Sequence, residues 1–249
     1  MNTTTQNQLN FVLIHGAWAN VTFWDEAAAS LRKLGHTVHV PQYAGHGANI
    51  NPDVTHDEIV QSVVDYFNEQ NLQNVVLVGH SFGGTVIAKV AEIVTDRISR
   101  LVYYNAFAPK DGESLVDQMP EPVQQIFSHL RDASGNNTIT LPFPLFRETF
   151  ANKATAEQAR AIYDVAPTEP AGPLFHKLDL KKFYSLEIPK SYLYSLEDIA
   201  FPPAPFAWHP AQSGNLGLFR LIVSTGDHVS TVHNEPDMIA EKLVEAGRE

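Results

Sequence analysis

The sequence predicts an α/β fold: a mostly parallel sheet flanked by helices, with an inserted helical cap. Three observations predict it. Short runs rich in valine, leucine and isoleucine recur along the chain, and the first of them is apolar throughout, as a strand covered on both faces should be. Stretches of about a dozen residues with helical apolar spacing separate these runs. One run, Asn74-Val75-Val76-Leu77-Val78, leads into Gly79-His80-Ser81-Phe82-Gly83-Gly84, a sharp turn from strand to helix with a serine at its apex.

Taken in order, residues 1–9 are a polar stretch expected to be a flexible tail, and the run from Asn10 to His15 is the first strand, ending in Gly16-Ala17-Trp18. Phe23 to Leu34 has helical spacing and stops at Gly35, a common residue just past a helix end. His36 to Pro41 alternates as a second strand, and Tyr43 to Asn49 is a loop. Thr55-His56-Asp57-Glu58 supplies a capping box for a helix to Gln70. The strand that delivers Ser81 is followed by a helix over Thr85 to Val94 and a fourth strand over Arg100 to Asn105.

From 109 to 189 prolines become frequent and strands are absent, with helical stretches at Pro122 to Leu130 and Thr155 to Tyr163; this is the expected cap. Its segment Leu141-Pro142-Phe143-Pro144-Leu145-Phe146 cannot be a central strand, because proline lacks the N–H that a ladder needs. It is expected to line or cover a cavity. The sheet resumes at Lys190 to Ser195 and ends with Leu218 to Val223. A closing helix runs from Pro236 to Ala246, with Met238, Ile239, Leu243 and Val244 at core spacing.

With 249 residues and no internal repeat, one domain over 1–249 is expected. A formal charge of −11 with no basic cluster excludes a nucleic-acid backbone as partner, since displacing counterions needs clustered Lys and Arg. The absence of cysteine removes disulfides, thiol catalysis and thiolate metal sites. No apolar run approaches membrane-spanning length and Met1 to Gln8 lack the form of a signal peptide, so the expectation is a cytoplasmic protein with no membrane partner. Whether it forms a homodimer is left open.

A serine hydroxyl is a weak nucleophile and needs a base within hydrogen-bond reach, itself oriented by a carboxylate. In an open parallel sheet such groups meet in loops at the carboxyl ends of strands. That rule selects Asp198 and His228, in the order Ser, Asp, His. Asp227 is expected to cap its own loop, and Asp111, after the fourth strand, is the alternative acid. His233 and His209 are the alternative bases, while His46 and His80 have no visible carboxylate partner. The chain lacks histidine-rich metal motifs, so neither a metal nor a cofactor is expected.

With Gly79-His80-Ser81-Phe82-Gly83 and that order of residues, the chain resembles the α/β-hydrolase superfamily over nearly its whole length. Phe11 to Trp18, Asn105-Ala106-Phe107-Ala108-Pro109, Glu197-Asp198 and Asp227-His228 resemble the methylesterase and hydroxynitrile lyase branch and its bacterial relatives, including pyrethroid-hydrolase-like esterases. The resemblance implies the α/β-hydrolase fold, Ser81 as nucleophile, His228 as general base and acid, Asp198 as its orienting carboxylate, and an oxyanion hole from the N–H groups of Ala17 and Phe82. For His15 a buried structural histidine bonded to backbone is favoured over a chemical role. Substrate contacts are expected from Trp18, His80, Phe143, Phe146 and Trp208.

Hydroxynitrile lyases of that branch are expected to carry lysine after the catalytic histidine, where this chain has Val229. Ala19 to Trp24 replaces a second His-Gly pair common in the plant methylesterases. The expected activity is hydrolysis of a carboxylic ester of a small or medium apolar or aromatic molecule. A cofactor-independent quinolone-type dioxygenase using the His-Asp dyad, a hydroxynitrile lyase and a ligand receptor that retains the triad are the alternatives.

Overall fold

The computed structural model describes residues 8–248, so the expected tail falls outside the described residues up to residue 7. Of its last two residues, Leu9 donates its N–H to Nδ1 of His36 at 3.1 Å.

The first half alternates β1 (Asn10–Ile14), α1 (Asp25–Lys33), β2 (Thr37–His39), α2 (His56–Glu69), β3 (Val75–Ser81), α3 (Gly83–Ile93) and β4 (Ile98–Ala106). There follow α4 (Glu121–Ser134), β5 (Thr138–Ile139), α5 (Phe143–Thr149), α6 (Ala156–Val165), β6 (Glu169–Pro170), α7 (Gly172–Phe175) and α8 (Lys181–Tyr184). The chain closes with β7 (Lys190–Ser195), β8 (Arg220–Ser224), α9 (Ser230–Asn234) and α10 (Pro236–Gly247). Among the described residues the main sheet has six strands in the order β2-β1-β3-β4-β7-β8, and every pair is parallel.

The apolar character of the inner strands follows from cover on both faces. Val12 and Ile14 of β1, Val75 and Leu77 of β3, and Leu101 and Tyr103 of β4 point into one core, together with α2 and α3. Their neighbours Phe11, Leu13, Val76, Val78, Val102 and Tyr104 point into the other, against α1 and α10. A period of two with both sets buried leaves no polar alternation to read. The helix starts follow their caps: Thr55 accepts from the N–H of Glu58, whose side chain bonds back, and Thr155 does the same with Gln158.

Between β4 and β7 one expectation is corrected. Strands are present, as the antiparallel pair β5–β6 in which Ile139 stands opposite Glu169; two-residue strands carry no readable periodicity. The proline-flanked aromatic segment, which is no central strand, opens α5: Pro142 precedes the helix and Pro144 lies in its first turn, where a missing N–H costs no hydrogen bond. This inserted segment shares the sheet's core through Phe127, Ile139, Leu141 and Leu174. Its residues Phe127, Leu141, Leu145 and Phe150 line one cavity with Ser81 and His228.

Candidate active site

β3 ends in Ser81 at φ 53°, a left-handed conformation that costs a non-glycine residue about 1 kcal/mol or more. Packing enforces it. A Cβ on Gly79 would lie 2.6 Å from the carbonyl oxygen of Gly83, and one on Gly83 would lie 2.8 Å from that of Ile14. Strand, turn and helix therefore meet too closely for any side chain at these two positions, and the serine is turned out of the sheet.

Asp198 leaves the end of β7 and His228 the loop after β8. Nδ1–H of His228 donates to Oδ2 of Asp198 at 2.6 Å, and both side chains are buried. The carboxylate also accepts from the N–H of Ala200 at 2.9 Å and from Nδ2 of Asn105. Asn105 is fixed in turn, because its Oδ1 accepts from the N–H of Ser195 at 3.0 Å. With Nδ1 engaged, Nε2 of His228 carries the lone pair. Among the described residues the Ser81 hydroxyl has no hydrogen-bond partner; such contacts commonly tighten only when substrate is bound.

His80 supports the same loop. Its Nε2–H donates to the carbonyl of His228 at 2.9 Å, and burial holds its pKa well below the usual histidine value, so the ring is neutral. The indole of Trp208 lies parallel to the His228 ring, 4° apart in plane and 5.3 Å between centroids. On the opposite wall Gly16 passes against the serine, where an added Cβ would come within 2.8 Å of Cβ of Ser81. Among the described residues neither the Ala17 nor the Phe82 N–H finds an acceptor.

Ser81, Phe82, Ala17, Trp18, Trp208 and His228 share the wall of one cavity of about 260 Å³. Phe107, Met119, Phe127, Leu141, Leu145, Phe150 and Phe201 add to an apolar lining in which, among the described residues, no Lys, Arg, Asp or Glu takes part. A recess of about 40 Å³ on the other side of Trp18 is lined by His80, Phe146, Asn20, Thr22 and His233 as well as His228. Phe143 lines neither; it packs on Tyr163 at 5.2 Å under the Arg160 guanidinium.

The competing residues are engaged elsewhere. Asp227 caps its own turn, accepting from the N–H groups of Thr231 and Lys153 and from Oγ of Ser230. Asp111 accepts from the N–H of Leu180 at 2.8 Å. His209 pairs with Ser213, and His233 lies 3.7 Å from Glu26. His15 is the buried, backbone-bonded histidine expected, held at a pKa of about 3 by burial. His46 does have a carboxylate partner, Glu169, at 3.0 Å, which distance along the chain concealed. Asn105 and Phe150 were also not singled out as site residues; a polar residue ending an apolar strand at the sheet's carboxyl edge was the available signal for Asn105.

The profile of the Alpha/beta hydrolase family matches residues 11–248, and the chain belongs to that family. Among solved structures it is 60% identical to a protein described as an extracellular alpha/beta-hydrolase from a Paenibacillus species, sharing structural and functional homology with tobacco salicylic acid binding protein 2; the match covers 97% of this chain and 100% of that one with a TM-score of 0.96. A carbendazim hydrolyzing esterase of Nocardioides sp. (strain SG-4G) is 40% identical over 45% of this chain and 48% of its own length. Putative methylesterase 11 (chloroplastic) of Arabidopsis thaliana is 26% identical over 78% of this chain and 53% of its own. The chain thus spans about half the length of these two curated relatives.

Proposed function

We propose that this protein is a serine hydrolase acting on neutral carboxylic esters with an apolar or aromatic portion. The observation that carries the reading is the buried Asp198–His228 bond on the wall of an apolar cavity that also holds Ser81 on its left-handed turn. The esterase names of the Nocardioides and Arabidopsis relatives support it.

In this mechanism Oγ of Ser81 attacks the ester carbonyl as its proton passes to Nε2 of His228, and the N–H groups of Ala17 and Phe82 hold the oxygen that becomes negative. Asp198 keeps the proton on Nδ1 and stabilises the imidazolium. Collapse expels the alcohol, which takes the proton from Nε2. Water then attacks the acyl-enzyme, giving its proton to the same nitrogen, and the carboxylic acid leaves as Ser81 regains its proton. The inserted segment acts as a cap whose apolar side chains take up the substrate body. Val229 after His228, and the lack of lysine in the cavity lining, favour hydrolysis over cyanohydrin cleavage.

The test is hydrolysis of a panel of p-nitrophenyl and aromatic methyl esters by the parent and by Ser81→Ala. Loss of at least about 10⁴-fold in kcat is expected; an alanine variant within a few-fold of the parent would refute the assignment. For the compartment we carry the cytoplasmic reading, which culture fractionation tests against the extracellular description of the Paenibacillus relative.

A further inference from the structure

The oxyanion loop is gripped from behind by a buried polar cluster that the hydrolytic steps leave unused. The carbonyl of Gly16 accepts from Nδ1 of His15 at 2.9 Å and shares the Tyr43 hydroxyl with the His15 carbonyl, each at 3.3 Å. In a trans peptide the N–H points opposite to the carbonyl, so these two bonds aim the Ala17 N–H away from the cluster. The next peptide is fixed as well, because the Trp18 N–H donates to Oε2 of Glu169 at 2.8 Å. Trp18 stands at φ 54°, a conformation a tryptophan keeps only under such restraint.

Glu169 is fully buried, and its other oxygen faces Nε2 of His46 at 3.0 Å. Nδ1 of His46 faces the Ala44 carbonyl at 3.0 Å. Against an ionised Glu169 both neighbours only accept, so the ring meets both as a donor when it is protonated on both nitrogens, in line with the upward shift that Glu169 gives His46 against the cost of burial. The buried side chain of Glu169 therefore has the His46 ring on one oxygen and a backbone donor on the other, and its position is determined on both. The β5–β6 pair completes the grip: Ile139, opposite Glu169, accepts from the Trp18 indole N–H at 2.8 Å.

We propose that Glu169, anchored by His46, is a positioning residue for the oxyanion site: it fixes the Ala17–Trp18 peptide and so the aim of the Ala17 N–H. The inference rests on the ester-hydrolase reading, in which that N–H binds the oxyanion. Glu169 touches no substrate; it acts through Trp18 and Ala17.

The two substitutions that separate this role from simple packing are Glu169→Met, which keeps the length but removes the acceptor, and Glu169→Gln. The glutamine can accept from the Trp18 N–H with its oxygen while its NH₂ donates to a neutral His46. With p-nitrophenyl butyrate, Glu169→Met is expected to lose about 10- to 100-fold in kcat with KM within about threefold, since a misplaced donor harms the transition state and not ground-state binding. Affinity for a trifluoromethyl ketone, which forms the oxyanion, falls by a similar factor, and Glu169→Gln stays within about threefold of the parent throughout. Should the methionine variant fail to fold, Glu169→Asp, too short to reach both partners, carries the same expectation. Amide exchange at Trp18 needs no turnover: it is expected to be at least about tenfold faster in the variant lacking the acceptor. Unchanged kcat and exchange in that variant, or a glutamine variant as impaired as it, overturns the proposal. A parent no more active than Ser81→Ala would instead sink the hydrolase reading, leaving the exchange comparison to decide the role of Glu169.

Discussion

The dyad is the most constrained pair of side chains in the site, because Asp198 accepts from His228, Asn105 and the Ala200 N–H while buried. Replacing it by asparagine puts an NH₂ or a weaker acceptor against Nδ1 and favours the wrong imidazole tautomer. Asp198→Asn is expected to lower kcat by about 10³- to 10⁴-fold with little change in fold, measured by ester hydrolysis and a thermal melt. Asp111→Asn, whose carboxylate caps the Leu180 N–H and faces Lys181 at 4.0 Å, is expected to leave kcat within about twofold, since surface changes away from the site act weakly. Ser81, Asp198 and His228 were legible in the sequence because each sits at a strand end in a fixed chain order. Glu169 was not, since it meets Trp18 only through a fold that brings together residues 151 apart.

At the level of elements, the turn between β3 and α3 depends on backbones that nearly touch. Gly79→Ala would drive a Cβ to 2.6 Å from the Gly83 carbonyl, so either strand or helix must shift. A loss of about 1–3 kcal/mol or more in urea unfolding is expected, together with loss of activity. On the cap side, Leu145 projects into the cavity from α5. Leu145→Trp is expected to raise KM for a bulky aromatic ester by about tenfold while sparing a small acetate ester, and equal effects on both would count against substrate lying there. The six main strands were readable, β2 from its alternation and the others from their runs, with β8 found at Arg220–Ser224 instead of starting at Leu218, which is 95% exposed. The short elements β5, β6, α7 and α8 were not readable, because two to four residues hold neither a strand period nor a helical turn's worth of pattern.

Across the whole molecule, buried neutral histidines link stability to pH. Burial holds His15 and His56 at pKa values of about 3 and lowers that of His80 far below its usual value. Once unfolded, each binds a proton near pH 6.5, so the unfolded state takes up more protons and stability falls as pH drops from about 6.5 towards 3. Each group contributes roughly 1 kcal/mol per pH unit in that window. His46, raised by Glu169, works in the opposite sense: its contribution is present below about pH 6.5 and is lost as pH rises through its folded value. These three lowered groups, joined by His36, His39 and His233, which burial also lowers, outnumber it, so urea midpoints should fall clearly from about pH 7 to about pH 5, and a flat profile would show that these rings are not held neutral. Among the described residues no helix is long and apolar enough to cross a membrane, and the parallel sheet places every proposed catalytic group at one edge. The most direct test of that arrangement is intact-protein mass spectrometry with peptide mapping after treatment with a fluorophosphonate. One adduct per chain, on Ser81, formed at least about a hundredfold more slowly in His228→Ala, is the predicted result; an unlabelled parent, or equal labelling of Ser81→Ala, would contradict it.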